Sequence, residues 1–134
     1  MKGELMIQTA EKQCPVTTTL NLIGGKYKPL ILWHLMDQTQ RFSQLRKLIP
    51  EATPKMLTQQ LRELEADQLL IRTVYPVVPP KVEYRLTEKG ASLRPILQSM
   101  FDWGFGLLKE NGIEPNCSMI SKEECTNCNS KKDE

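Results

Sequence analysis

Thr53-Pro54-Lys55-Met56-Leu57-Thr58-Gln59-Gln60-Leu61-Arg62-Glu63-Leu64-Glu65 is the stretch whose reading decides the fold. Thr53 is a good N-cap and Pro54 suits a first helical position, so a helix is predicted from here to about Asp67. Leu57, Leu61 and Leu64 recur at i, i+4 and i+7 and form one apolar stripe. Lys55, Thr58, Gln59 and Arg62 recur at i, i+3, i+4 and i+7 and form the opposite face. One stripe packs inward. The other is either a solvated surface or a set of long polar and cationic side chains offered to a partner.

Upstream, Ser43 reads as the N-cap of a short helix to Ile49, with Leu45, Leu48 and Ile49 inward. Pro50-Glu51-Ala52 then forces a turn, and Pro50 to Thr53 is the short connection that a helix-turn-helix needs. Arg41-Phe42 reads as short and extended, after the polar turn Asp37 to Gln40. Lys28 to Met36 is apolar on most sides and reads as the core helix, with His34 as a packed histidine. Pro15 starts a further helix with Val16, Thr19, Leu20 and Ile23 on one face. Gly24-Gly25 is expected to end it through the left-handed conformation that glycine accepts.

Downstream, Leu70 to Tyr75 and Lys81 to Leu86 read as strands, the second with Val82, Tyr84 and Leu86 alternating. The connection Pro76-Val77-Val78-Pro79-Pro80 is a rigid hairpin tip rather than a tight turn. Thr87 caps a last helix in which Gly90 packs closely, Pro95 makes a kink or the effective start, and Asn111-Gly112 is the end. That helix is more apolar than one small domain covers, which points to burial against a second subunit. The predicted fold is mainly α with a small β-hairpin (α+β), a winged helix-turn-helix with N-terminal and C-terminal dimerisation helices. Its recognition helix presents Lys55, Thr58, Gln59 and Arg62 to the major groove, where Arg or Lys reads guanine and Gln reads adenine. The hairpin reaches the adjacent backbone or minor groove through Lys81 or Arg85.

The 134 residues fit one domain with short tails, divided as an arm over 1–13, a winged-helix domain over 14–110 and a cysteine-bearing tail over 111–134. The net charge of +2 is too small to argue for a polyanion partner by itself. Its distribution says more: residues 14–110 carry 13 basic and 9 acidic side chains, while 111–134 carry 3 basic and 5 acidic. No apolar run approaches the roughly 18 residues needed to cross a bilayer, and no apolar leader follows Met1, so a cytoplasmic protein is expected.

Several long motifs carry a resemblance. Cys14-Pro15, the run Ile23-Gly24-Gly25-Lys26-Tyr27-Lys28-Pro29-Leu30-Ile31-Leu32 and Arg41-Phe42-Ser43-Gln44-Leu45-Arg46 are similar to the HxlR family of bacterial transcriptional regulators. So are Lys55 through Glu65, the wing Val74-Tyr75-Pro76 to Tyr84, and Leu86-Thr87-Glu88 with Gly90. The resemblance covers about residues 14–104 and implies a homodimer, loosely related to the MarR regulators, that binds inverted-repeat operators as a repressor or activator. It implies that Lys55, Thr58, Gln59 and Arg62 lie on the recognition helix and Lys81 at the wing. Leu97, Phe101 and Trp103 would join the dimer interface with the N-terminal segment.

Cys14 sits where some members keep a redox- or electrophile-sensing cysteine, so a redox or small-molecule effector is a candidate partner. A helix N-terminus favours the thiolate there, and a small hydrophobe at a dimer seam is the alternative reading. Cys117, Cys125 and Cys128 form C-x7-C-x2-C, three thiolates for a metal site that wants four ligands, beside the reading of an inert tail. His34 is the only histidine, and no carboxylate pair, Gly-rich phosphate loop or nucleophile elbow stands out. Neither an enzyme nor a cofactor is therefore expected. The competing readings are a winged-helix protein-interaction module without DNA binding and, last, a small thiol enzyme using Cys125 and Cys128.

Overall fold

A computed structural model describes residues 13–115. Pro15 opens α1 (Pro15–Ile23), where its missing N–H lacks an intrahelical partner in any case. The helix ends on Gly24 in right-handed geometry, φ −78° and ψ −2°, which corrects the expected left-handed cap. Space rather than torsion demands glycine here, because a Cβ on Gly24 would run into the Leu20 carbonyl oxygen. Next, α2 (Lys28–Leu35) buries Ile31, Leu32 and Leu35 and forms the centre of the core.

β1 (Gln40–Arg41) leads directly into α3 (Phe42–Leu48). Phe42 is therefore helical, not extended, and Ser43 is not the cap. Arg41 holds that position instead, because Gln44 reaches back and its Oε1 accepts the Arg41 backbone N–H at 2.7 Å. A tight turn then leads to α4 (Pro54–Ala66). Here Thr53 caps as expected, its Oγ1 accepting the Met56 N–H at 3.1 Å. Leu57, Leu61 and Leu64 are all buried, and α4 packs on α2.

The end of α4 is a Schellman arrangement without a glycine. The Leu69 N–H donates to the Leu64 carbonyl and the Gln68 N–H to that of Glu65, each at 3.0 Å, with Gln68 at φ 63°. β2 (Leu70–Tyr75) and β3 (Lys81–Leu86) follow with the expected limits. They pair antiparallel from Leu70↔Leu86 to Tyr75↔Lys81, and β1 joins β3 through Gln40↔Tyr84, giving a three-stranded sheet of order β1-β3-β2. Leu70, Arg72, Val74, Val82, Tyr84 and Leu86 share the sheet face turned to α4, and the alternate residues share the other.

Of the two expectations for Pro95, a kink or the effective start of the last helix, the structure has the second, and the segment from Thr87 is two helices. Thr87 caps α5 (Glu88–Ala91), its Oγ1 accepting the Gly90 N–H at 3.0 Å, and α6 (Arg94–Glu110) begins afresh. Pro95 explains the break. It has no N–H for the Ala91 carbonyl, and its ring excludes that carbonyl from helical position. Gly90 does pack closely, since a Cβ there would strike the Leu69 carbonyl oxygen. The chain divides into two compact units after Arg94. In the second, Phe101 and Phe105 stack at a tilt with ring centroids 5.7 Å apart, and Gly112 at φ 69° follows the helix end.

The left-handed conformation of Gln68 costs about 1–2 kcal/mol that glycine would not incur. Part of that gain is lost to the greater chain entropy of glycine in the unfolded state. Gln68→Gly is expected to raise the thermal midpoint by about 2–4 °C, and Gln68→Val to lower it. Differential scanning calorimetry of both variants checks this.

Candidate nucleic-acid interface

Lys55, Gln59 and Arg62 are exposed along one side of α4, and Thr58 is half-buried between them. The Thr58 hydroxyl donates to the Pro54 carbonyl at 2.8 Å. Gln59 Nε2 donates to Glu63 Oε2 at 3.3 Å, and Glu63 Oε1 lies 2.6 Å from Lys28 Nζ. Lys28 is only 7% exposed, so its ammonium depends on that carboxylate. The hydrogen bond from Lys28 holds the Glu63 carboxyl below its ordinary pKa, against the opposing effect of its own desolvation. The chain Lys28–Glu63–Gln59 thus fixes α4 against α2 and sets the posture of one of the four outward residues.

Beside α4 runs a groove of about 500 Å³ lined by Phe42, Thr58, Arg62, Glu65, Arg72 and Tyr84, among others. Arg72 lies opposite Tyr84 in the hairpin and so faces α4. Sequence reasoning did not single it out. The signal was the strand register, which puts every residue paired with the buried Tyr84 on its side of the sheet.

The two wing cations expected from the sequence both lie on β3. Lys81 and Arg85 project from the opposite sheet face. Lys81 Nζ is 3.3 Å from Glu83 Oε2 and 4.8 Å from the centre of the Tyr75 ring. The structure therefore gathers Lys55, Thr58, Gln59 and Arg62 with Arg72, and leaves Lys81 and Arg85 apart from them.

Cys14 is exposed at the N-cap of α1. The Thr17 backbone amide, then that of Val16 and the Thr17 hydroxyl, hold its thiol below the ordinary pKa. Val16 and Leu20 are exposed on the same helix. In α6, Leu97 is buried, Phe101 half-buried and Trp103 72% exposed, while Ile96, Met100 and Leu107 add to an exposed apolar stripe. His34 is half-buried, and its Nε2 is buried without a hydrogen-bond partner. Desolvation pushes its pKa down, more than the charge of Glu51 raises it. Cys117, Cys125 and Cys128 lie outside the described residues. Among the described residues no helix is long and apolar enough to cross a membrane.

Residues 22–111 match the family model described as HxlR-like helix-turn-helix. The HTH-type transcriptional regulator YdeP of Bacillus subtilis strain 168 is 57% identical over 91 residues, 68% of this chain and 71% of that protein. The structure of the redox regulator HypR in its oxidized form is similar with a TM-score of 0.67 and 52% identity, over 69% of this chain and 96% of HypR. The reduced form of the transcriptional regulator YodB from B. subtilis is similar with a TM-score of 0.61 and 38% identity, over 70% and 93%.

Glu63 and His34 make the fold acid-sensitive. Glu63 titrates below its ordinary 4.5, so its contribution is complete above that pH and is lost as the pH falls through the folded value. His34 titrates below its ordinary 6.5, so the folded state favours the neutral ring and stability declines as the pH drops beneath 6.5. The thermal midpoint is expected to fall in two steps between pH 7 and 3. His34→Gln should flatten the upper step and Glu63→Gln the lower one. At pH 7, Glu63→Gln should cost about 1–2 kcal/mol by stranding the Lys28 ammonium. Thermal melts of the three proteins across that pH range decide the point.

Proposed function

The chain belongs to the HxlR-like helix-turn-helix family, and on that premise we propose how it acts as a DNA-binding transcriptional regulator. It works as a homodimer. One α4 from each subunit enters successive major grooves of an inverted repeat, about 34 Å apart. The observation that carries this reading is the exposed face of α4, with Lys55, Thr58, Gln59 and Arg62 in line on a helix anchored by three buried leucines. Arg62 and Lys55 are the residues for guanine and Gln59 the one for adenine. Arg72, across the groove from Arg62, suits a phosphate contact that sets the depth of the helix. Exposed apolar side chains on α1 (Val16, Leu20) and on α6 (Met100, Trp103, Leu107) support pairing of subunits, with Leu97 and Phe101 behind them on α6. The role is one of binding rather than catalysis.

Wild type is expected to bind an operator selected from genomic fragments as two chains per inverted repeat, with affinity falling steeply as salt rises. Arg62→Ala should cost about 1–3 kcal/mol, concentrated at one base pair of each half-site, and lower the salt slope by about one. Fluorescence anisotropy on the operator and on point-substituted versions measures both. Equal binding of Arg62→Ala and wild type to operator and random duplex would remove α4 from the recognition role. Absence of any salt-dependent DNA binding would favour the protein-interaction reading.

We further propose that Cys14 is the sensing thiol. Its support is an exposed sulfur with a lowered pKa at the start of a helix that carries part of the apolar seam, together with the resemblance to HypR and YodB. Oxidation joins two Cys14 sulfurs across the dimer, or Cys14 to a small thiol. In either case two protons and two electrons pass to the oxidant. Diamide is expected to change the operator affinity of wild type and to leave that of Cys14→Ser unaltered. Non-reducing electrophoresis separates the two disulfides, and equal responses of both proteins would take Cys14 out of the mechanism.

A further inference from the structure

Glu63 is shared between the inside of the molecule and the face that α4 presents. Its Oε1 lies 2.6 Å from Nζ of Lys28, and its Oε2 accepts from Nε2 of Gln59 at 3.3 Å. Lys28 is buried at the start of α2, Glu63 is half-buried and Gln59 is exposed. The three side chains thus form a line from the core to the outer face of α4. Gln59 and Glu63 stand four residues apart, about one turn of the helix, so the Gln59 amide is drawn toward the C-terminal end of α4.

The chemistry of the two groups fixes which way round the amide sits. An ionised carboxylate only accepts hydrogen bonds, so it takes the NH2 end of Gln59 and repels the carbonyl end. Turning the amide over would set Oε1 of Gln59 against Oε2 of Glu63, two acceptors with no proton between them. Glu63 has little freedom to give way. Rotating its carboxylate outward would strand the buried Lys28 ammonium, and a buried charge without a partner is costly. One hydrogen of Nε2 is used in the bond to Glu63. The other hydrogen and Oε1 remain as a donor beside an acceptor, in a fixed order. Adenine N7 and N6 require that pair. Guanine presents two acceptors, N7 and O6, so the held Oε1 would meet O6 acceptor to acceptor. A freely turning amide escapes that clash by directing its NH2 group at guanine.

We propose that Lys28 and Glu63 are positioning residues for base reading, holding the Gln59 amide in the one orientation that selects adenine over guanine at its base pair. The proposal rests on α4 being the recognition helix. Neither Lys28 nor Glu63 needs to touch a base. The ion pair acts chiefly on the wrong base, because it removes the amide orientation by which a G·C pair would be accommodated. Specificity here comes from what is made unfavourable as much as from what is bonded. Loss of the ion pair therefore improves binding to the wrong operator, a result that a mere loosening of the fold does not produce.

The test is anisotropy at one salt concentration on the selected operator and on versions with each base pair of the half-site substituted in turn. Gln59→Ala identifies the A·T pair that Gln59 reads, as the position where its discrimination disappears. Lys28→Met/Glu63→Gln is the main variant. It removes both charges, so no buried ammonium is stranded, and the amide it introduces can meet either end of Gln59. Lys28→Met alone keeps the carboxylate as an acceptor, and thermal melts verify that both variants fold. Wild type is expected to lose about tenfold or more when that A·T pair becomes G·C, the worth of one bidentate contact. The double variant should lose only about threefold, with tighter binding to the G·C operator than wild type shows. Lys28→Met should fall between them. At the pair read by Arg62 all three should discriminate alike. A wild-type penalty at the Gln59 pair in the double variant, or an equal loss of affinity at every pair, would overturn the proposal and leave the reading of α4 intact. Discrimination that Gln59→Ala leaves unchanged at every pair would instead remove Gln59 from base reading, and the proposal with it, so the two readings fail in distinguishable ways.

Discussion

The arrangement of this molecule depends on one crowded junction at the C-terminal end of α4. The Leu69 carbonyl accepts the Thr87 N–H at 3.1 Å, the Thr87 hydroxyl donates to the Gln68 carbonyl at 2.7 Å, and the Thr87 Oγ1 accepts the Gly90 N–H. Gly90 lies so close beneath Leu69 that no Cβ fits. The end of α4, the start of β2, the end of β3 and α5 therefore meet within a few residues. The wing cannot tilt against α4 without breaking backbone bonds. The positive φ of Gln68 is part of this junction, since a regular helix end would aim β2 elsewhere. The proposed DNA reading by a helix and a hairpin would need that rigidity, because a small misplacement of either element forfeits its contacts.

Charge is arranged by the same geometry. The net +2 is the balance of a basic domain and an acidic tail, and neither figure says where a polyanion would sit. Position decides. Arg62 and Arg72 flank one groove, and Lys55 lies further along the same helix. Lys28 is buried and answered by Glu63, and Lys81 is answered by Glu83, so neither is offered to a partner in the same way. Glu65 in the groove also matters, because it limits the local positive potential and leaves Arg62 a directional donor rather than part of a diffuse patch.

What the sequence made legible was what is local. The limits of α4 and both strands follow from a cap, a period and the prolines, and the structure places them there. Local signals of similar strength left two points open. At α3 a good cap residue, Ser43, lost to a neighbour because Gln44 reached back to Arg41. At Pro95 the choice between a kink and an effective start fell to the start, since α6 begins at Arg94. Arg72 is a different case, because hairpin register brings it to the face toward α4. That could not be read from any short window, because it required knowing which residue each strand position opposes.

A regulator that senses at Cys14 also needs a mechanical connection to α4, and the start of α2 supplies the contacts for one. Gly25, just past α1, has the end of the Gln60 side chain of α4 lying against it. The buried Tyr27 donates its hydroxyl to the Glu51 carbonyl at 3.3 Å, in the turn that leads into α4. Lys28 then pairs with Glu63 on α4 itself. Adjacency alone does not establish coupling. The last two contacts are stiff in different ways, however: one is a part-buried hydrogen bond and the other holds a buried ammonium. A shift of α1 along its axis would have to strain at least one of them or carry α4 with it. In a dimer whose seam includes α1, a bond formed at Cys14 would thus act on the spacing of the two recognition helices, and spacing is the quantity an inverted repeat tests.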